Sequence, residues 1–384
     1  MKKYMRLLLA ALCAAGVLLM TGCWDDAEIN GRAFVLGFGA DKLEDGYSFI
    51  FQLAIPVSGD SDASGSIEYA VLAVNEITPA AAVRRIEKNL GREINFEQLS
   101  LIVIGEPLSR DNFAGLTDYF FRRASVRRQS CIAVCDGSAH SFFSASATNK
   151  AIAVEAASTL QSYDAGSGSV SMNLFSLYKK LINRSGFFLP ELSLKQAKTD
   201  GNSNEDPEKS VLSISGALAY GQNGAYRGHL TEDELELLLL ACGSGNGCAI
   251  DVYDGSGSRY CCEVRESECS VKCRLVGGRP EFRIRLELVL VPLDAGGIDG
   301  GGYSPESIRH ISQSAEQTLS KRLYALAEKS RSYLGISLSG LQDVARQRQP
   351  DWYRIHSDEW ESIFQGTDII FTVNCTAAGG GITK

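Results

Sequence analysis

The spacing of apolar residues divides the chain into a series of short elements. Phe34 to Gly39 and Tyr47 to Ile55 read as a hairpin: Tyr47, Phe49, Phe51, Leu53 and Ile55 share one face of the second strand, and Pro56 ends it. A polar Gly/Ser/Asp loop covers 57–66. Thr78-Pro79 then supplies an N-cap and a first-turn proline, and the spacing of Val83, Ile86 and Leu90 predicts a helix that Gly91 stops. Leu99 to Ile104 predicts a buried strand, 111–123 a helix, Ser130 to Cys135 another strand, and two more helices fall near 149–161 and 171–183. This alternation predicts a mixed α/β N-terminal domain over 23–197.

Residues 198–209, KTDGNSNEDPEK, are polar and charged and contain Gly and Pro, which predicts a linker. A middle domain is expected over 210–275. It opens with a hairpin, Val211 to Tyr220 and Gly224 to Gly228, around Gly221-Gln222-Asn223-Gly224. Thr231-Glu-Asp-Glu234 is a capping-box start whose acids suit the positive end of a helix. Leu235 to Leu240 is apolar almost all round, so that helix should be buried or lie at an interface.

Strands follow at about 249–254, 259–265, 268–276 and 281–291. In the last, Phe282, Ile284, Leu286, Leu288 and Leu290 alternate with Arg283, Arg285 and Glu287, which fits an antiparallel sheet with one solvated face. A C-terminal domain is expected over 276–384. After a Gly-rich loop, Ser304-Pro305-Glu306 starts a long helix, 304–333, with the stripe Ile308, Ile311, Ala315, Leu319, Leu323 and Leu326. Lys329 and Arg331 sit near its negative end. The fold class read from these patterns is α+β or mixed α/β, with several domains, each a mostly antiparallel or mixed sheet with packed helices.

The first 22 residues stand apart. Lys2, Lys3 and Arg6 form a basic head, and Leu7 to Met20 is an apolar run of 14 residues. That is signal-peptide anatomy, since a membrane span needs roughly 20 residues. The run ends in Met20-Thr21-Gly22-Cys23, which resembles a lipobox, the site at which a bacterial lipoprotein is cleaved and its cysteine diacylated. Lipidation is therefore expected at Cys23. The usual Leu three positions before the cysteine is replaced by Met20. Without this leader the basic count falls to 35 against 46 acidic residues, a mature charge of about −11. Such a balance disfavours nucleic acid and makes the chain a poor candidate for electrostatic docking on anionic lipid. The lipid should do the anchoring, and two acyl chains hold firmly where one does not.

Nine of the eleven cysteines lie beyond Cys23. Cys131 and Cys135, and Cys269 and Cys273, are four apart in strand-like segments, a separation of ~13 Å. A disulfide needs Cα atoms within ~7 Å, so neither pair closes on itself. Cys375 continues the face of Ile369, Phe371 and Val373. Most of these cysteines read as small apolar core residues. Cys242 and Cys248, across Gly-Ser-Gly-Asn-Gly, are the best disulfide candidate. His140, His229, His310 and His356 are scattered and no CxxC occurs, so no metal site is expected.

The sequence holds no catalytic or cofactor-binding constellation. Gly37-Phe38-Gly39 has Lys42 where a dinucleotide fingerprint needs its third glycine. No phosphate-cradling Gly-Lys-Ser/Thr loop and no nucleophile elbow occurs. Asp25, Asp26 and Glu28 behind Cys23 read as a solvated tether, and Trp24 either rests at the lipid interface or docks on a partner. Trp352, Tyr353, Trp360 and Phe364 read as a packed corner rather than a ligand box. No cofactor is expected and no catalytic or metal residue is assigned.

The remaining signal is a set of ordered segments. Cys23-Trp24-Asp25, Glu28-Ile29-Asn30 and Phe34-Val-Leu-Gly-Phe-Gly-Ala-Asp41-Lys42 with Asp45-Gly46 resemble the start of the Ger(x)C family, the lipoprotein C subunits of spore germinant receptors. Leu101-Ile-Val-Ile-Gly-Glu106 with Leu108 is similar to that family's buried strand and turn, and Arg122-Arg123 through Arg128, Val134 and Gly137 to its next segment. Ser215-Gly-Ala-Leu-Ala219 through Gly228-His-Leu230 and Glu234 resembles its second block, and Pro350-Asp-Trp352 with Trp360 to Phe364 its closing block. The resemblance implies three mixed α/β domains and no catalysis. It also implies a lipid at Cys23, the outer face of the spore inner membrane, and assembly with two integral-membrane subunits, of A and B type. Nine mature cysteines depart from the family's habit. The competing class is a lipoprotein substrate-binding subunit of a transporter, which needs two α/β lobes joined by hinge strands around a cleft. The antiparallel second half and a linker crossed once disfavour it.

Overall fold

The computed structural model describes residues 4–5, 31–57, 66–111, 113–145, 151–163, 173–196, 210–253, 259–293 and 305–378. Cys23 and its neighbours, the 198–209 segment and the Gly-rich loop before the long helix lie outside them.

The expected hairpin forms as β1 (Arg32–Leu43) and β2 (Gly46–Val57), antiparallel from Phe34↔Ala54 to Leu43↔Gly46. Gly46 turns the corner at φ +108°, a backbone state that favours glycine. β3 (Ser66–Glu76) adds an edge that the sequence pattern did not suggest. Its two faces are both apolar and Ile67 and Tyr69 are exposed, so no alternation marks it.

Thr78 caps α1 (Pro79–Leu90) as expected, its hydroxyl accepting from the Ala81 amide, and Gly91 ends it at φ +63°. β4 (Glu93–Asn95) lies beside β1. The chain then runs through β5 (Leu101–Gly105), α2 (Glu106–Ser109), α3 (Ala114–Phe121), β6 (Cys131–Cys135), α4 (Ala139–Ser144), α5 (Ile152–Tyr163), α6 (Leu174–Ile182) and β7 (Phe187–Gln196). β8 (Ser210–Tyr220), β9 (Tyr226–Thr231) and α7 (Glu232–Ala241) follow.

These strands make one nine-stranded sheet in the order β3-β2-β1-β5-β6-β7-β8-β9, with β4 against β1. β1, β5, β6 and β7 are parallel and central, and antiparallel strands flank them on both sides. Central parallel strands are covered on both faces, so β5 and β6 are buried throughout and read as unbroken apolar runs. α1, α3 and α6 cover one face around Phe38, Phe51, Phe96, Phe120 and Leu177. α4, α5 and α7 cover the other around Phe142, Phe143, Leu160 and Leu238.

The second sheet has the order β10 (Ala249–Tyr253), β11 (Arg259–Val276), β12 (Arg279–Pro292), β13 (Asp368–Ala377). Between β12 and β13 come α8 (Pro305–Glu328), a π-helical turn over Lys329–Leu334, α9 (Leu341–Arg348), α10 (Pro350–His356) and α11 (Trp360–Gln365).

Two expectations are corrected here. The strands foreseen at 259–265 and 268–276 are one strand, β11, with a register shift between Val264 and Glu266. The extra residue moves the inward-facing set from Cys262 and Val264 to Ser267, which is buried, and Cys269, Val271 and Cys273, which are half-buried, and this is why the alternation looked broken. The sheet is also mixed, because β13 runs parallel to β12.

The expected boundaries at 198–209 and 275/276 are not where the sheets divide. β7 and β8, on either side of 198–209, pair from Phe187↔Tyr220 to Gln196↔Ser210. β11 and β12 are joined by Gly277-Gly278 at φ +58° and +80°, a two-residue hairpin turn. A polar Gly/Pro segment marks a connection, and composition alone does not tell a hairpin loop from an interdomain linker.

Candidate functional site

Cys23, the residue expected to carry lipid, lies outside the described residues. The structure does show the end of the large sheet from which the chain leads back to it. The register Gly37↔Leu101 and Leu101↔Cys131 sets those residues level, and β1 begins five residues further out at Arg32.

Several of the segments that resemble the Ger(x)C pattern lie at structural joints. At the first, Gly37 and Gly39 of β1 let α4 and α5 approach. A methyl at Gly37 would meet Phe143 at 2.5 Å and Ala153 at 2.7 Å. Asp41 follows, buried, and its two carboxylate oxygens accept from the Ala139 and His140 amides at 2.7 and 3.0 Å. It caps α4, whose first amides have no partner inside the helix. Gly105 leaves room for that carboxylate, since a methyl there would come within 2.0 Å of Asp41 Oδ1.

At the second joint, Gly216 and Gly228 sit at φ +150° and +154°. A methyl at Gly216 would fall 2.1 Å from the Leu230 carbonyl oxygen, and one at Gly228 2.5 Å from Leu334 of the π-helical turn. Beside them Glu191 accepts from the Ser215 hydroxyl at 2.9 Å, with His229 Nε2 at 3.2 Å from the same oxygen. Sequence reasoning missed this cluster, because Glu191 is 38 residues from His229 and no motif joins them. The serine proton is directed at the carboxylate and not at the imidazole. The arrangement thus differs from a serine–histidine nucleophile pair.

The third joint is the capping box of α7, formed as the sequence predicts: Glu234 accepts from the Thr231 amide at 2.9 Å. Glu234 also accepts from Lys329 Nζ at 2.6 Å, tying α7 to the π-helical turn. Burial alone would raise the Glu234 carboxyl, but the Lys329 ammonium and the Thr231 donors hold it below the usual glutamate range. A further tie is Lys180 of α6, buried, donating to Asp343 of α9 at 2.8 Å. At the fourth joint Trp360 and Phe364 are buried and stacked, with the Phe282 ring edge-on to Trp360. Trp352 Nε1 donates to the Gly278 carbonyl at 3.1 Å. The closing aromatics form a packed corner.

Cys131 and Cys135 are buried on β6, and Cys269 and Cys273 are half-buried on β11. The Cys269 thiol donates to the Ala241 carbonyl at 3.0 Å, and burial, with Cys242 near it, pushes it up to about 12. Burial likewise pushes Cys248 and Cys262 up to about 11 and Cys375 up to about 12. Thiols so shifted are poor nucleophiles at neutral pH. Cys242 and Cys248 are not bonded to one another. Among the described residues, no group of three or more His, Cys, Asp or Glu side chains is placed to hold a metal ion. No helix among them is long and apolar enough to cross a membrane.

The α7 leucines form a buried layer. Leu235, Leu238 and Leu239 are almost fully inaccessible, in a layer that touches β8 and β9 of one sheet and β11 and β12 of the other.

One large mixed sheet, one small sheet and helices packed between and around them define an α+β protein. The solved structure described as the GerBC protein has this architecture. It superposes with a TM-score of 0.58 over 89% of this chain and 96% of that one, at 17% identity. Residues 25–194 match the family model for the spore germination protein N-terminal domain, and 215–381 match the model described as spore germination B3/GerAC like, C-terminal. Spore germination protein B3 of Bacillus subtilis is 23% identical over 93% of this chain and 94% of its own length. Spore germination protein KC of the same organism is 30% identical over 27% of each chain. The chain belongs to the Ger(x)C family of spore germination proteins.

Proposed function

We propose that this protein is the lipid-anchored C subunit of a spore germinant receptor. Cys23 carries a diacyl group and holds the protein on the outer face of the spore inner membrane. There it assembles with two integral-membrane subunits, of A and B type, and takes part in passing on the germinant signal without catalysing a reaction. The observation that carries this reading is the likeness to germination protein B3 over 93% of the chain, joined to the lipobox-like Met20-Thr-Gly-Cys23.

The test has two arms. Mass spectrometry of the mature N-terminus should find a diacylated Cys23, and Cys23→Ala should move the protein from the membrane to the soluble fraction. Spores lacking the protein should lose the response to one germinant class while keeping the response to others. An unmodified cysteine, or unaltered germination to every germinant tried, refutes the proposal.

A further inference from the structure

One exposed apolar stripe on the large-sheet body has a basic border. Phe175, Tyr178 and Ile182 of α6 are 53, 36 and 62% exposed. They are three and four residues apart, so they share one helix face, and the opposite face is buried through Leu174, Leu177 and Lys180. Phe121, at the end of α3, stacks on Tyr178 and extends the apolar surface. Around it stand Arg122, next to Phe121 in sequence; Arg128, whose carbonyl accepts from the Phe175 amide at 2.9 Å; and Lys179 on the helix itself. Arg128 and Lys179 are exposed and have no carboxylate partner among the described residues. Arg122 shares its charge with Asp118 in an exposed i,i+4 pair, a weak association.

The position of this stripe is set by the sheet. The Leu174 amide donates to the Ser130 carbonyl, just before β6, and this fixes the start of α6 at that sheet end. The end of α6 leads into β7, and counting back from Val134↔Glu191 puts Phe188 level with Cys131. α6 therefore crosses its face of the sheet close to the end where the parallel strands start. β1 begins at the same end, two strand spacings or ~10 Å from β6. Cys23 is nine residues before Arg32, a reach of at most ~30 Å. A lipid at Cys23 thus tethers the molecule by the end that carries the stripe.

We propose that this end of the large sheet is a membrane-contact face. Phe175, Tyr178 and Ile182 enter the interfacial zone of an anionic bilayer, and Arg122, Arg128 and Lys179 meet its phosphate headgroups. Apolar side chains rimmed by cations are the composition of an interfacial helix face, and aromatic rings favour that depth. The negative charge of the whole chain does not decide the matter. Charges further away than a Debye length, ~8 Å at physiological salt, are screened, and the surface reads the local cluster. The inference deepens the proposed anchoring and presumes that the chain sits on a membrane. The two can nevertheless fail separately.

The test uses the mature chain carrying Cys23→Ala, which has no lipid, and vesicles of phosphatidylcholine with or without 30% phosphatidylglycerol. Sedimentation should show binding to the anionic vesicles only, weakening with salt. Neutralising Arg128 or Lys179 should lower the partition about fivefold each, from ~1 kcal/mol per basic residue at the surface. The pair Phe175→Ser and Ile182→Ser should abolish binding, while the thermal melt, which reports the fold, stays unchanged because both side chains are exposed. Equal binding to neutral vesicles, no binding at all, or binding indifferent to these changes overturns the proposal. So does a stripe variant that keeps vesicle binding but no longer co-purifies with the integral-membrane subunits, since the face would then belong to a protein partner. A diacylated Cys23 without vesicle binding defeats this inference alone, and vesicle binding with an unmodified Cys23 defeats only the anchoring.

Discussion

Leu238→Ala tests the reading of α7 as a structural layer. Leu238 is fully buried, and its helix touches β8 and β9 on one side and β11, β12 and α8 on the other. The substitution removes three carbon atoms, worth ~0.8 kcal/mol each in lost burial, or ~2.4 kcal/mol. Two sheets and a helix fix the surrounding side chains, so little collapse into the gap is expected. The cavity term should therefore carry the total into the ~3–5 kcal/mol range measured for buried leucines. Urea unfolding followed by tryptophan fluorescence, to which the buried Trp360 contributes, should show a lower midpoint with an unchanged slope. In spores, protein level and germination rate should fall together, since a loss of this size depletes the folded population. The reasoning is refuted if the variant accumulates and melts like wild type while the receptor fails to assemble. In that outcome α7 would be a docking face.

Other expectations follow from single contacts. The Glu234–Lys329 tie should support stability at neutral pH and lose it in acid. The folded carboxyl lies below the usual glutamate range, so its contribution is complete above that range and disappears as pH falls through the lowered value. The stability gap between wild type and Lys329→Met should therefore close on acidification, and a pH-independent gap would dismiss the idea. Gly105→Ala should destabilise by ~1–3 kcal/mol, because its methyl must displace the Asp41 carboxylate from the start of α4. Thermal melts would reveal it, and an unchanged melt would show that Asp41 has room to move. Thiol reagents should label Cys131, Cys135, Cys269 and Cys273 slowly in the native state and fully after denaturation. Recovery of a Cys269–Cys273 disulfide would contradict their placement two pleats apart on β11.

Where the burial pattern was unbroken, the sequence was a reliable guide. β12 alternates without a break, α7 is leucine on nearly every side, and Thr78 and Gly91 delimit α1, so these elements fall where their patterns put them. β3 escaped notice because an exposed edge strand has no core face to impose alternation. β11 was read as two strands because a bulge exchanges its faces. The functional surfaces were harder still. Glu191, Ser215 and His229 meet only through strand pairing. The basic border of α6 was hidden in a chain-wide acidic charge count, which averages over distances that salt screens.

The pairing of β7 with β8 bears on how such proteins diverge. The two family models stop at residue 194 and resume at 215, inside these strands, so the boundary between the named halves crosses a continuous sheet. A recombination event there would join strand partners of different ancestry, and their facing side chains would have to fit at once. Each half expressed alone would leave a bare edge of about ten residues, β7 with its Phe187-Phe188-Leu189 run or β8 with its alanines, open to pairing with other chains. Conversely, a molecule nicked between Gln196 and Ser210 would have its two pieces held by ten residue pairs and a shared core. It should purify as one particle.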